Sequence, residues 1–270
     1  MDPRGENRGA AVLELVAGDA CVRVRTEEGG RVGSVVVGGR ELLVTGDPQG
    51  LIHWGSYPMV PWAGRIRRGR FTFEGREHTL PLAMPPHAIH GVAFDRPWSI
   101  VDASTIALDL DERWPFRGRV TQAFALDEDG LRVTMTLDAD EPMPATIGWH
   151  PWFRRTIGAG AAPVELTFAA DEMLVRDDEG MPTGERIPPT PPPWDDAFTG
   201  LREGPVLEWP GELRLALSSS CAWWVVYTAP VEAICVEPQS GPPDAANHDP
   251  EVVLPGAPLT HEMRWRWTRG

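Results

Sequence analysis

The sequence predicts an all-β protein, a large antiparallel β-sandwich that spans residues 1–270 as a single domain. Apolar and polar residues alternate with a period of two in several segments, such as residues 131–137 and 213–217, as they do in half-buried strands. No stretch shows a sustained helical period with capping residues. The chain also contains 28 Gly and 28 Pro, which supply the many turns that an antiparallel sheet requires.

The individual strands follow from this alternation and from the turn residues between them. The glycine-containing pairs 38–39, 74–75 and 129–130 predict short connections between antiparallel neighbours. The predicted strands are residues 22–25, 34–37, 71–73, 106–110, 120–124, 131–137, 164–168, 213–217, 223–227, 233–236 and 263–267.

Two segments are predicted to be long loops. Residues 49–70 carry Trp54, Tyr57, Trp62 and a basic cluster, and residues 180–193 carry six prolines. Loops of this length in a compact domain are usually functional or disordered, and the aromatic content favours a functional role.

Charge and composition exclude several classes of protein. The net charge of -14 and the pI of about 4.9 disfavour binding to nucleic acid or to an anionic membrane. All 25 basic residues are arginine, so a lysine Schiff base and a P-loop are both excluded. The sequence predicts no particular oligomeric state.

The cysteines and the chain start predict a cytoplasmic protein. Cys21, Cys221 and Cys235 are far apart and odd in number, which suits reduced thiols. Residues 1–8 are polar and do not resemble a signal peptide, and no apolar run is long enough to span a bilayer.

Two residues far apart in the chain form a candidate acid–base pair. His150 stands between Trp149 and Pro151, and we expect it at a strand end, with a pKa near neutrality. Glu237 follows the apolar strand 233–236, so we expect its side chain where that strand leaves the sheet. Each proton transfer by such a group is worth about 10²–10⁴-fold in rate. Taken singly, a structural histidine and a solvated glutamate are the ordinary alternatives.

His87 and His90 have a spacing that could bind a metal on a helix. Prolines before them and Gly91 after them argue against a helix, and no third ligand is evident. The sequence therefore predicts no metal and favours a hydrogen bond from His90 to a neutral ligand.

Arg65 differs from the basic residues that follow it. Arg67, Arg68 and Arg70 are best interpreted as a solvated charge run. Arg65 comes directly after an aromatic segment, and a guanidinium group can donate to two neighbouring hydroxyls at once.

Several short elements occur in a fixed order along nearly the whole chain. They are Gly64-Arg65-Ile66, His90-Gly91, His150-Pro151-Trp152-Phe153, Asp195-Asp196-Ala197-Phe198, Glu237-Pro238-Gln239 with Pro243-Asp244-Ala245, and Val253-Leu254-Pro255-Gly256. In this order they resemble the motifs of the aldose 1-epimerase (galactose mutarotase) family.

The resemblance implies a mutarotase-type β-sandwich that interconverts α and β anomers of a free aldose without a cofactor. Glu237 would take the proton of the C1 hydroxyl, and His150 would give a proton to the ring oxygen. Asp195 would hold a ring hydroxyl, while Arg65 and His90 would place the sugar. The substrate would be a small sugar, as the partner of this site.

Other features bear on how the sugar is recognised. Trp62 and Trp152 are the predicted stacking faces among the 12 Trp of the chain. Gly64 stands where many family members have Asn, which leaves the substrate open. Asp196 replaces a histidine that often follows Asp195, so either carboxylate could face the pocket.

Three alternatives remain open. A hexose-6-phosphate 1-epimerase could use the arginines of residues 65–70 for the phosphate, although alternate residues of a strand face opposite sides. A carbohydrate-binding or sensing module would have the pocket without turnover. A glycoside hydrolase would instead use a carboxylic acid pair such as Asp195 with Glu237.

Overall fold

The computed structural model describes residues 12–46, 50–248 and 250–270. The polar start at residues 1–8 and Gln49, the first residue of the predicted loop 49–70, lie outside the described residues. Strands make up 57% of the structure and helix 4%, which confirms the all-β class. That residues 1–270 form a single domain stays a prediction.

The strands alternate with short turns along the chain. One short helix, α1 (Ala245–His248), and 3₁₀ turns at Thr26–Glu28 and Arg67–Gly69 complete the described elements. The strands are β1 (Val12–Ala17), β2 (Ala20–Arg25), β3 (Arg31–Val37), β4 (Arg40–Glu41), β5 (Ser56–Met59), β6 (Arg65–Ile66), β7 (Arg70–Phe73), β8 (Arg76–Thr79), β9 (Ala88–Ile89), β10 (Ser99–Ile100), β11 (Thr105–Asp109), β12 (Gly118–Asp127), β13 (Gly130–Ala139), β14 (Met143–Pro144), β15 (Gly148–Arg154), β16 (Glu165–Arg176), β17 (Pro182–Ile187), β18 (Asp195–Trp209), β19 (Leu213–Ser219), β20 (Trp223–Tyr227), β21 (Ala233–Gln239), β22 (Val252–Val253) and β23 (Leu259–Arg269).

The antiparallel pairings form two layers that share a long strand. One layer runs β10-β11-β12-β13-β23-β19 and reaches the second half of β18, where Val206 pairs with Ala216. The other runs from the first half of β18 through β20-β21-β15-β5-β3-β2-β1. Since β18 pairs in both layers, it links the sandwich at one edge.

The core lies between the two layers. Phe153 of β15 packs on Trp265 of β23, with ring centroids 4.9 Å apart. The indole N–H of Trp149 donates to Gln122 Oε1 of β12 at 3.1 Å, and Gln122 in turn donates to the Gly30 carbonyl at 3.0 Å. Because these polar groups are paired, the buried amide of Gln122 costs little.

The predicted loops are shorter than the sequence indicates. Residues 182–187 form β17, which pairs with β16, and residues 56–59 form the fully buried strand β5. In both segments pairing with a neighbouring strand replaces part of the predicted loop, and composition does not reveal such long-range pairing. Pro58 tolerates this place because proline is excluded only where its missing N–H is needed.

The described residues contain no helix that is long and apolar enough to cross a membrane.

Candidate active site

His150 and Glu237 face each other on neighbouring strands. β15 and β21 are antiparallel, and Gly148 pairs with Gln239 while Trp152 pairs with Cys235. His150 and Glu237 lie midway between these two pairs, so the register places them opposite one another. His150 Nε2 is 3.2 Å from Glu237 Oε1. Both side chains are almost fully buried.

The strand ends predicted for these two residues are wrong. His150 is the third residue of β15, and Glu237 lies inside β21 rather than beyond it. Alternation along β15 sends Trp149 and Phe153 into the core and His150 to the opposite face. Both faces of β15 are buried, one against the core and the other beneath a cavity.

The cavity has a volume of about 220 Å³ and lies over the middle of the second layer. Side chains from five adjacent strands, β18, β20, β21, β15 and β5, form its floor. Six of the seven predicted site residues line it, namely Arg65, His90, His150, Trp152, Asp195 and Glu237.

Trp62 is the predicted site residue that the cavity excludes. It belongs to the main apolar core, where its ring lies 5.4 Å from that of Trp114. The Trp62 side chain packs in the core rather than on the cavity wall, so the cavity lining gives no support to its predicted stacking role.

Aromatic rings hold the imidazole of His150 in place. It is stacked between Tyr57, at a centroid distance of 4.8 Å, and Trp152, at 5.4 Å with the planes 6° apart. His90 meets it edge to face at 5.1 Å. Trp152 covers one face of the imidazole and also lines the cavity, so it both positions His150 and offers an apolar surface to a ligand.

Burial dominates the electrostatics of the pair. It lowers the pKa of His150 well below its usual value, and the neighbouring His90 adds to this shift. Burial raises the pKa of Glu237 well above its usual value, with the charge of Asp195 acting in the same direction. The expected pKa of His150 near neutrality is therefore wrong. Both shifts favour a neutral imidazole beside a protonated carboxyl group, which can donate to Nε2.

Gln239 steadies the carboxyl group of Glu237. Its side-chain amide donates to Glu237 Oε2 at 3.2 Å, from two residues further along the same face of β21. Gln239 is 1% exposed and lines the cavity.

Asp195 is the aspartate that reaches the cavity. It begins β18, and burial raises its pKa although Arg176 and Arg65 oppose the shift. Arg176 binds both aspartates, with Nη1 3.0 Å from Asp195 Oδ2 and Nε 2.8 Å from Asp196 Oδ1. Asp196 does not line the cavity, so Asp195 is the one of the two carboxylates that faces the pocket.

A tight backbone turn brings His90 and Arg65 to the cavity. β6 and β9 pair at Arg65 and Ile89, and the His90 N–H donates to the Gly64 carbonyl at 2.9 Å. Gly91, with φ of +81°, lies so near Val60 that a Cβ would be 2.0 Å from the Val60 carbonyl oxygen. The His-Gly element therefore needs glycine for close approach. Burial lowers the pKa of His90 to about 3, so its ring is a neutral hydrogen-bonding group.

Asp244 ties a second loop to the Arg65 strand. Its N–H donates to the Arg65 carbonyl at 2.7 Å, and its Oδ1 accepts from the Arg67 N–H at 2.9 Å and from Asn247 at 2.8 Å. These hydrogen bonds hold the Asp244 loop against residues 65–67. Pro243, the residue before Asp244, packs closely against Gly64.

The arginines after Arg65 are occupied by carboxylates. Arg67 pairs with Asp177 at 2.7 Å and with Glu179 at 3.3 Å, and Arg68 pairs with Glu179. They lie on a 3₁₀ turn rather than on a strand. Within the described part of the chain, Arg65 has no carboxylate at salt-bridge distance, so its guanidinium group is available to a ligand.

Four residues that line the cavity were given no site role in the sequence analysis, namely Arg176, Tyr57, Tyr227 and Gln239. Arg176 stands in an acidic run that resembles solvated surface. Tyrosine offered a usable signal, because the chain has only two and both line the cavity.

The acid–base pair and a neighbouring cysteine together could bind a metal ion. One ligand atom each of His150, Cys235 and Glu237 lies within 4.8 Å of the others. The His87 and His90 spacing, by contrast, makes no such set, because His87 Nδ1 accepts a hydrogen bond from the Arg68 N–H at 3.1 Å.

Comparison with known sequences identifies the family. The profile of the aldose 1-epimerase family matches residues 12–266. The chain is 28% identical over 242 residues to the uncharacterized protein YphB of Escherichia coli K12, covering 78% of this chain and 82% of that protein. It is 32% identical over 138 residues to galactose mutarotase of Rattus norvegicus, covering 47% of this chain and 40% of that protein. The match thus spans about two fifths of the mutarotase.

Solved structures show the same fold. A galactose mutarotase-like protein from Clostridium acetobutylicum superimposes with a TM-score of 0.84 at 16% identity, covering 98% of this chain and 100% of that one. Galactose 1-epimerase from Lactobacillus acidophilus gives a TM-score of 0.79 at 17% identity, covering 96% and 95%. The β-sandwich is therefore of the galactose mutarotase type. With the profile match over nearly its whole length, the chain belongs to the aldose 1-epimerase family.

Proposed function

We propose that the protein is an aldose 1-epimerase that interconverts the α and β anomers of a free, neutral aldose. The observation that carries the proposal is the buried contact of 3.2 Å between His150 Nε2 and Glu237 Oε1 on the floor of a sugar-sized cavity. The C1 hydroxyl oxygen and the ring oxygen are bonded to one carbon atom. An acid and a base that serve these two oxygens must themselves be close together.

Ring opening moves one proton through the pair. Glu237 takes the proton of the C1 hydroxyl, His150 gives a proton to the ring oxygen, and the bond from C1 to the ring oxygen breaks. Rotation about C1–C2 then presents the other face of the carbonyl group. Closure runs the same transfers in reverse and yields the opposite anomer.

The electrostatics favour the intermediate of this reaction. After ring opening the proton is on Glu237 and His150 is neutral, and burial shifts the pKa of both groups toward that distribution. The starting tautomer contains the same number of protons, so the pair needs no exchange with solvent. Hydrogen bonds from the sugar to the charged tautomer would offset part of its desolvation cost.

Binding and orientation fall to the residues around the pair. We assign Asp195 to a ring hydroxyl, Arg65 and His90 to the oxygens near C1, and Trp152 to the apolar side of the sugar. All four line the cavity. Arg65 is suited to this role because its donors are free of carboxylates among the described residues.

The arrangement of charges favours a neutral sugar over a hexose 6-phosphate. Arg67 and Arg68 are paired with Asp177 and Glu179, and Arg176 is paired with two aspartates. A phosphate would have to displace these partners. A glycoside hydrolase is also disfavoured, because Glu237 contacts an imidazole and not a second carboxyl group.

We also propose a cytoplasmic location with no nucleic-acid partner. Cys21, Cys221 and Cys235 are free thiols, which supports a reducing compartment. The net charge of -14 supports the absence of nucleic-acid binding.

Polarimetry tests the proposal. Fresh α-glucose, α-galactose and their 6-phosphates are followed with wild-type protein, with Glu237→Gln and with the exposed control Glu208→Gln. We expect prompt equilibration of a neutral sugar by wild type and by the control, and a loss of about 10²–10⁴-fold in Glu237→Gln. Sugar binding without acceleration would establish the sensing module instead, and preference for a 6-phosphate would establish the phosphorylated substrate.

A further inference from the structure

Cys235 lies beside the acid–base pair without a role in the reaction. It is fully buried on β21, two residues before Glu237 and therefore on the same face of the strand. Its strand partner is Trp152, two residues from His150. The thiol sulfur, Glu237 oxygen and His150 nitrogen all lie within 4.8 Å of one another.

The spacing of these atoms fits a small tetrahedral ion. With metal–nitrogen and metal–oxygen distances of about 2.0–2.2 Å, two ligands of a tetrahedron are about 3.4 Å apart. His150 Nε2 and Glu237 Oε1 are already 3.2 Å apart. Small side-chain rotations would bring the Cys235 sulfur to the third corner.

The types of the three ligands select the ion. A thiolate, an imidazole and a carboxylate together suit Zn²⁺, whereas Mg²⁺ and Ca²⁺ prefer oxygen ligands alone. Gln239 lines the cavity and donates to Glu237 Oε2, which makes it a candidate for the fourth corner. The Oε1 atom of Gln239 is buried and has no hydrogen-bond partner among the described residues, so it can serve as a ligand or hold a bound water.

We propose that His150, Cys235 and Glu237 form an inhibitory zinc site. Binding would release one proton from the thiol and one from the carboxyl group to solvent, and it would occupy Nε2 and Oε1. These atoms could then no longer exchange protons with a sugar. The inhibition, though not the binding, rests on the proposed epimerase function.

Zinc binding is measured first, independently of activity. Reduced full-length protein is titrated with Zn²⁺ in competition with a chromophoric chelator, and with Mg²⁺ as the control ion. We expect one Zn²⁺ per chain, at least ~10-fold weaker binding in Cys235→Ser, and unchanged binding in Cys221→Ser, the other buried cysteine. No saturable zinc binding, or equal affinity in Cys235→Ser, would overturn the proposal.

Co²⁺ gives a reading that does not depend on any variant. In wild-type protein we expect a thiolate-to-cobalt charge-transfer band that Zn²⁺ removes. If Cys235→Ser fails to fold, the absence of this band in wild type still overturns the site.

Polarimetry with added Zn²⁺ completes the test. We expect wild type and Cys221→Ser to lose activity by more than ~10-fold at saturating Zn²⁺ and to recover it with a chelator. Zinc binding that leaves the activity intact would overturn the inhibitory role. Zinc binding by a protein without any epimerase activity would refute the proposed function and leave the metal site standing.

Discussion

His150 and Glu237 lie opposite each other across β15 and β21, with Nε2 and Oε1 3.2 Å apart in a buried cavity. Their pKa values are moved in opposite directions by the same burial. A pair of this kind titrates as a unit, so its apparent pKa values belong to both groups.

The pH dependence of kcat/KM should be broader than that of a solvated pair. The active pair holds one proton. Burial lowers the pKa of His150, so a second proton binds to the pair only well below pH ~6.5. Burial raises the pKa of Glu237, so the single proton is lost only well above pH ~4.3, the ordinary pKa of a glutamate. We expect kcat/KM to stay constant as the pH is varied through about 6.5, the ordinary pKa of a histidine. Polarimetry with the rate of Glu237→Gln subtracted measures it, and an acid limb centred near pH ~6.5 would contradict the buried pair.

Asp195 and Asp196 should differ in their effect on substrate binding. Asp195 lines the cavity, whereas Asp196 is held beside it by Arg176. Loss of a charged hydrogen bond costs about 1.5–3 kcal/mol, so Asp195→Asn should raise KM by roughly 10- to 100-fold. Asp196→Asn is the matched control, with a smaller rise in KM. Equal effects would indicate that both act through Arg176.

Gly64 should be sensitive to a side chain for two separable reasons. Its φ is +66°, and a Cβ would lie 3.0 Å from the Pro243 Cβ. Gly39 has φ of +77° with nothing within 4 Å, so Gly39→Ala measures the backbone strain alone. We expect Gly64→Ala to lower the free energy of unfolding by at least about 1 kcal/mol more than Gly39→Ala, measured in urea. A displaced Pro243 loop should also raise KM through Arg65.

Trp152 and Trp62 should separate function from stability. Trp152→Phe removes part of the wall behind His150, and we expect kcat/KM to fall by about 10-fold. Trp62→Phe loosens the core contact with Trp114 and should lower stability by about 1–2 kcal/mol with unchanged KM. A changed KM in Trp62→Phe would indicate that Trp62 contributes to substrate binding after all. Thermal unfolding and polarimetry of both variants provide the comparison.

The sequence predicted the strands well because alternation is a local signal. Residues 131–137 and 213–217 fall inside β13 and β19. It failed at residues 182–187, where β17 forms through pairing with β16, a neighbour that local pattern cannot reveal. It also misjudged His150 and Glu237 as strand-end groups, since a cavity floor buried on both faces lacks alternation.

Cavity residues were predicted from the sequence where the residue type itself indicates chemistry. They were missed where only the three-dimensional packing brings the residue to the cavity. His150, Glu237, Arg65 and Asp195 are reactive or charged groups in short motifs. Trp62 packs on Trp114 instead of lining the cavity, because an indole beside a motif can turn either way and only tertiary packing decides. Arg176 was missed because its partners begin a strand almost twenty residues later in the chain.

Tyr57 and Tyr227 are the two tyrosines of the chain, and both line the cavity. Isotope labelling of tyrosine rings would therefore place every NMR probe at the floor and wall of one hollow, with no background from the rest of the molecule. Occupancy of that hollow by an unlabelled sugar could be read directly from the signals of two rings, even for a ligand that is never turned over.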